Sequence, residues 1–336
     1  MEIIRKRAYA RAGLLGNPSD GYNGRTISVS IRNFWSEVVL YEWDTVEIVL
    51  AENDRAKFRT VQELAQDVQL HGYYGGIRLI KATIKRFVEY CHQQQLPLHK
   101  RNFSIRYSST IPRQVGLAGS SSIITATLRC LMAFYAVSIP HEIQPSLALA
   151  VEAEELGISA GLQDRVIQAY EGMVYMNFAP EHAQQRHQYT HYLYQRLDPS
   201  LLPPLYVAYH TDLSEPTEVF HNDIRGRFQQ GETDVLQAML RFAQITDEGR
   251  VAIEAGDTAT LNRLIDANFD LRRSIARLPA WQVQMVEVAR ACGATAKFAG
   301  SGGAIIGTYR DQAMYDRLQH ALKAIGSNVI KPLITE

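Results

Sequence analysis

The chain has 336 residues, 46% hydrophobic and 21% charged, a composition that fits a packed globular protein and excludes a disordered one. Its 35 Lys and Arg balance its 35 Asp and Glu, so it lacks the basic excess of a nucleic-acid binder, and no run approaches the roughly 18 apolar residues of a membrane span. The three cysteines, Cys91, Cys130 and Cys292, lie far apart without a CxxC pair, which points to a reducing cytoplasm. The opening MEIIRKRAYARAGLLG is basic without a long apolar core and does not read as a signal peptide. The length favours two domains.

In chain order, the first informative segment is AYARAGLLGNPSDGYNGRT from Ala8. Arg11 stands in an apolar, strand-like run, and Asn17, Ser19, Asp20, Tyr22 and Asn23 crowd the loop after it. Such a loop suits a polyhydroxylated ligand, although the same residue types also make ordinary turns. Strands rich in β-branched residues are predicted at TISVSI from Thr26, VEIVLAE from Val46, FSIRYSST from Phe103 and GMVYMNF from Gly172. Helices are predicted from Ile77 to Gln94 and from Ser121 to Val137, where Ile123, Ile124, Leu128 and Leu131 recur at helical spacing. A third runs from Pro145 to Gly157.

Between the Phe103 strand and the Ser121 helix lies IPRQVGLAGSSS. Glycines let the backbone approach an anion closely. The helix start offers unpaired N–H groups and a positive dipole end. Ser120, Ser121 and Ser122 are placed to cap the helix, bind phosphate oxygens or help hold Mg²⁺. Together these features describe a triphosphate cradle, without the GK[ST] of a Walker A loop; an ordinary Ser-capped helix has the same pattern. Further on, Glu152, Glu154 and Glu155 sit near a helix C-terminus, where carboxylates oppose the dipole. A bound cation or a solvated face would account for them. Asp164 follows in a Gly-containing connection.

RLDPSLLPPLYVAYH, with Pro199, Pro203 and Pro204, marks a domain boundary, giving domains 1–200 and 201–336. Beyond it, helices are predicted over 233–254, 257–276 and 280–292. A Gly-rich turn, KFAGSGGAIIG from Lys297, leads into a strand, followed by a helix over 311–324 and a strand over 328–333. The order is α+β. Gly300, Gly302 and Gly303 permit either close approach to a ligand or loop, or a tight turn into a buried strand.

In order, these loops resemble the three motifs of the GHMP kinases, and the likeness, carried by GNPSDGYNGRT, GYYGGIRLIKA from Gly72, IPRQVGLAGSS, GISAGLQDRV from Gly157 and KFAGSGGA, covers almost the whole chain. Within that superfamily they are most similar to plant-type glucuronokinases. The resemblance implies a two-domain α+β fold. The N-terminal domain would be ribosomal S5 domain 2-like with a left-handed βαβ unit, the C-terminal one ferredoxin-like, with ATP and substrate meeting between them.

The resemblance also implies roles. Gly116, Leu117, Ala118, Gly119, Ser120, Ser121 and Ser122 would form the phosphate loop, here GLAGSSS, one residue longer than the usual GLGSS. Ser121 would be the magnesium-side serine, with Ser120 or Ser122 as alternatives, and Glu152 the magnesium ligand, with Glu155 as its alternative. Asp164 would be the catalytic base, in a GxxDQ-type stretch whose Gln is here Arg165, and Arg11 would orient it. Asp20, in PSD where galactokinases read HTD, would meet the sugar, with Asn17, Tyr22 and Arg25 around it. Gly300, Gly302 and Gly303 would fold against the phosphate loop. The expected reaction is ATP- and Mg²⁺-dependent phosphorylation of an anomeric hydroxyl, with glucuronate as acceptor. Galacturonate, galactose, arabinose, other hexoses and a non-catalytic homologue stay open as alternatives. A uronate asks for a cation, and Arg25 and Arg165 stand nearest in sequence. No nucleic-acid or membrane partner is expected.

Overall fold

Two sheets organise residues 2–49, 75–211 and 218–334, which the computed structural model describes. The first is built around β2 (Arg25–Trp43), long enough to serve several partners. Strand β1 (Ile3–Leu15) runs antiparallel along it, with register shifts between Tyr9 and Ala10 and between Gly13 and Leu15. The start of β2 pairs with β5 (Met173–Asn177) and its end with β4 (Asn102–Ser109). Strand β3 (Glu47–Ile48) adds parallel to β4, and β8 (Leu193–Leu197) antiparallel to β5. A small hairpin, β6 (Gln184–Arg186) and β7 (Tyr189–His191), stands apart.

Three helices cover this sheet: α1 (Gly76–Gln93), α2 (Gly119–Tyr135) and α3 (Gln144–Ala150). Leu79, Ile80 and Phe87 of α1, Ile124, Leu128 and Leu131 of α2 and Leu147 of α3 share one core with Leu40 and Ile105 of the sheet. Helix α2 is buried on nearly every side, which its apolar composition allows. Helix α4 (Gln163–Tyr170) precedes β5.

The second sheet is antiparallel, in the order β10 (Lys297–Phe298), β11 (Ala304–Thr308), β9 (Leu205–His210), β12 (Ser327–Ile330). With it come α5 (Glu218–Gln229), α6 (Thr233–Glu254), α7 (Thr258–Ile275), α8 (Ala280–Ala291) and α9 (Gln312–Lys323). A second core crosses between the sheets: Leu14, Leu15, Ile27 and Val29 pack with Val207, Ile245, Leu264 and Ile306. This seam fixes the β1–β2 loop against α7 and the Gly-rich turn.

The α+β reading holds, with differences in detail. TISVSI is the first third of a much longer strand. Arg32, Asn33 and Phe34 interrupt its polarity because they bulge out opposite the Tyr9/Ala10 register shift, after which pairing resumes at Trp35. The hairpin and β8 carry few buried side chains, and their polar sequence gives no alternation to read. Leu50–Glu52 of the VEIVLAE run and Gly72–Tyr74 of GYYGGIRLIKA lie outside the described residues. Among the described residues no helix is long and apolar enough to cross a membrane.

Candidate active site

The loop before α2 and the Gly-rich turn after β10 touch backbone to backbone. Gly116 has φ +68°, and a Cβ there would stand 2.8 Å from Gly302 O and from Ser301 Oγ. A Cβ on Gly300 would stand 2.3 Å from Gly116 O and 2.6 Å from Arg11 Nη1. Neither position has room for a side chain. Gly302 and Gly303 complete the turn against Gln282 and Val115. Helix α2 then starts from Ala118, which takes a left-handed φ of 64° with no side chain capping the helix. That conformation is uncommon for a residue bearing a Cβ and occurs preferentially where a loop is shaped for function. The uncapped N-terminus favours the anion-cradle reading over the simple Ser-capped helix.

The three serines separate in role. Ser120 Oγ donates to Glu152 Oε1 at 2.7 Å. Ser121 is fully buried and its hydroxyl faces Ala118 O at 3.4 Å. Ser122 is also buried, donating to Gly119 O at 2.6 Å and meeting Ser36 Oγ of β2. The expected pairing of Ser121 with Glu152 therefore does not form; Ser120 takes that position. The contact with Ser36 of β2 holds the Ser122 hydroxyl inward, and Ser121 turns back to the loop carbonyl.

Glu152 lies on a π-helical turn, Val151–Glu155, that ends α3. Such turns shift side-chain directions within a helix and recur at functional sites. Here Glu152 points inward, fully buried, while Glu154 and Glu155 face α1 and pair with Arg86 and Lys85. Those two cations explain the outward glutamates. Glu152 also accepts from Arg165, through Nε at 2.7 Å and through Nη2.

Arg11, on β1, donates from Nε to Asp164 Oδ1 at 2.6 Å and from Nη1 to Gly116 O at 2.6 Å and Ala299 O at 3.0 Å. One guanidinium thus ties Asp164 to both Gly-rich loops. Arg165 Nη1 lies 3.6 Å from the other oxygen of Asp164. Asp20 packs against Gly161, where a Cβ would stand 2.2 Å from its Oδ2, and accepts from the backbone N–H of Gln163. Burial, reinforced by the nearby charge of Asp164, pushes Asp20 up to about 6. Two carboxylates, Asp20 and Asp164, therefore share one recess with Arg11.

The remaining expected residues divide. Tyr22 is half-buried against Phe228, ring centroids 4.7 Å apart, and burial raises its hydroxyl pKa. Asn17 is buried with both side-chain ends engaged, accepting from Lys297 Nζ and donating to Phe298 O, so it builds the loop from within. Arg25 is held by Asp247 of α6 at 2.7 Å, and Tyr175 shares that carboxylate. Arg25 and Arg165 thus each have a carboxylate partner, although the buried Nε of Arg25 has no hydrogen-bond partner.

Two residues of the site escaped sequence reasoning. Lys297 is buried, with Gly13 O, Asn17 Oδ1 and Phe298 O as acceptors, and burial holds its ammonium well below the usual lysine range. Arg272 is buried on α7 and grips the Gly-rich turn. A signal existed: Leu261, Leu264, Ile265, Asn268, Phe269, Arg272 and Ile275 form the buried stripe of α7, and Asn268 and Arg272 are its polar members.

Residues 78–172 match the GHMP kinases N terminal domain and residues 250–328 the GHMP kinases C terminal domain. Over 309 residues the chain is 43% identical to Glucuronokinase 1 of Arabidopsis thaliana, covering 90% of this chain and 84% of that one. In fold it is similar to the Lactococcus lactis galactokinase solved with galactose, with a TM-score of 0.76, 15% identity, and 99% and 94% of the two chains covered. It is likewise similar to the Methanococcus jannaschii mevalonate kinase, with a TM-score of 0.74, 18% identity, and 100% and 99% covered.

Proposed function

This chain belongs to the GHMP kinases, and from that footing we propose that it transfers the terminal phosphoryl group of ATP to the anomeric hydroxyl of glucuronate, giving glucuronate 1-phosphate. The observation that carries the reading is the Arg11–Asp164 pair, 2.6 Å apart where the sugar loop, the phosphate loop and the Gly-rich turn meet. Glucuronate as the acceptor is supported by the 43% identity to the Arabidopsis glucuronokinase.

Phosphoryl transfer depends mainly on positioning and charge stabilisation. The backbone of the Gly116–Ser122 loop and the open end of α2 receive the phosphates. Asp164 takes the proton of the attacking hydroxyl. Arg11 fixes the orientation of that carboxylate and brings positive charge to the transition state. Asp20 and Tyr22 face the sugar hydroxyls. An anomeric hydroxyl is more acidic than an ordinary alcohol, which suits a carboxylate base.

Ser120 and Glu152 are hard oxygen donors, 2.7 Å apart at the start of α2, and fit Mg²⁺. Among the described residues no three acidic or imidazole side chains converge, so the ion's other ligands would be phosphate oxygens and water. Bound there, the ion would neutralise phosphate charge. We also take residues 1–200 and 201–336 as the two domains, supported by the change of sheet after β8. A cytoplasmic location is supported by the free thiols of Cys91, Cys130 and Cys292.

The test is ADP release with a panel of sugars, glucuronate, galacturonate, glucose and galactose among them, with the product identified by phosphorus NMR. Phosphorylation of glucuronate at its anomeric oxygen is expected. Preference for a neutral sugar, or a 6-phosphate product, would overturn the reading.

A further inference from the structure

Five arginines gather around the sugar loop and the segment bearing Asp164, and four have their charge answered; Arg25 pairs with Asp247. Arg11 pairs with Asp164 and Arg165 with Glu152. Arg225 is exposed to water and donates to Ser159 Oγ at 2.7 Å. Arg272 differs. It is 4% exposed, and among the described residues no carboxylate lies within ion-pair distance of it. Its Nη1 donates to Gly300 O at 2.7 Å and its Nη2 to Ser301 O at 3.2 Å, while its buried Nε has no hydrogen-bond partner.

A guanidinium carries five N–H donors, so the two carbonyls leave most of its donor capacity unspent. The carbonyl dipoles and the Phe298 ring, whose centroid lies 5.2 Å from the guanidinium carbon, answer the charge only in part, which is costly in a buried place. Burial accordingly draws Arg272 down to about 10, and the charges that oppose this shift are those of Asp20 and Tyr22. One helical turn earlier, Asn268 holds the sugar loop by accepting from Gly16 N at 2.6 Å and donating to Asn17 O at 3.1 Å. Helix α7 therefore places Arg272 between the sugar loop and the Gly-rich turn.

We infer that Arg272 is the residue that selects an acidic sugar, supplying the positive charge that answers the carboxylate of the substrate. This rests on the glucuronate reading above. A uronate carboxylate entering beside Asp20 and Asp164 adds a third negative group to one recess, and a neutral sugar does not. A cation that is already desolvated, and already held by Gly300 O and Ser301 O, meets that charge with little reorganisation. Arg11 and Arg165 cannot, because each is matched by its own carboxylate.

The experiment compares kcat/KM for glucuronate and for glucuronamide, the same ring with a neutral amide in place of the acid. In Arg272→Gln the acid-to-amide ratio should fall by about 10- to 100-fold, the range for a charged hydrogen bond. In Arg225→Gln it should stay at the wild-type value. An unchanged ratio in Arg272→Gln, with both substrates slowed alike, would show a purely structural residue and overturn the assignment. Loss of the ratio in Arg225→Gln would also overturn it. If Arg272→Gln does not fold, Arg272→Lys decides: KM should rise for the acid more than for the amide, and an equal rise for both overturns the assignment. A wild type with no preference for the acid defeats the glucuronate reading itself, and Arg272 with it, before any variant is made.

Discussion

Gly116 and the Gly300–Gly303 turn meet backbone against backbone, while beside them Asp20, Asp164 and Arg11 meet as charged side chains. The first arrangement recognises an anion through N–H groups and shape, which any sequence with glycine at the right places can supply. In the reading proposed above the second selects the acceptor, and it keeps several charges out of water. The contrast predicts that damage to the phosphate side acts through space and damage to the sugar side through charge.

The largest effect should come from Asp164, the carboxylate proposed to take the proton. Asp164→Asn changes little volume and should lower kcat by about 10²–10⁴-fold, the usual worth of a general base. KM for ATP should barely move, since the phosphate side is untouched. Steady-state kinetics with each substrate varied in turn checks this, and near-normal turnover would reduce Asp164 to a structural role.

Gly300→Val tests the other side. The new side chain would be driven into Gly116 O and Arg11 Nη1, costing about 1–3 kcal/mol of stability by overpacking. Because it presses on the phosphate loop, ATP affinity should suffer more than sugar affinity. Thermal unfolding and both KM values measure it.

Asp20→Asn should cost sugar binding and yet stabilise the apoprotein. Asp20 sits at about 6, above the ordinary 3.8, so the folded state resists its ionisation. That resistance grows as pH rises from about 4 and is complete above about 6. The variant should therefore be more stable by about 1–3 kcal/mol at pH 8 and show no gain near pH 4. Denaturant titrations at the two pH values decide the matter, and a gain that is the same at both would rule out charge as the cause.

The smallest expected contrast lies within the serines. Ser120→Ala should raise the Mg²⁺ concentration needed for half-maximal rate, because Ser120 is the hydroxyl beside Glu152. Ser121→Ala should leave that requirement alone, since its hydroxyl is buried against Ala118 O. A magnesium titration of both variants distinguishes them, and the reverse pattern would restore Ser121.

Much of this was readable in the chain, for reasons specific to each part. Helices α7 and α9 begin where they do because Asp257 and Asp311 cap them, accepting from Thr260 N and Met314 N, and capping residues are local signals. The glycines of both loops were equally visible, because a position that admits no Cβ marks the sequence directly. Partnership was harder to see. Arg25 meets Asp247 and Arg272 meets Gly300, pairs joined only by the packing of α6 and α7. Which serine faces Glu152 depended on Ser36 of β2 turning Ser122 inward, and no spacing rule contains that.

The core that crosses between the sheets has a consequence for how such a chain can change over time. Leu14, Leu15, Ile27 and Val29 are covered by Val207, Ile245, Leu264 and Ile306, and a Cβ on Gly249 of α6 would stand 2.0 Å from Leu15 Cδ1. A recombinant that joined residues 1–200 to the second half of a relative would have to match that surface residue for residue. Exchange of either half therefore meets a barrier at this seam, whereas a point change on a loop away from it does not.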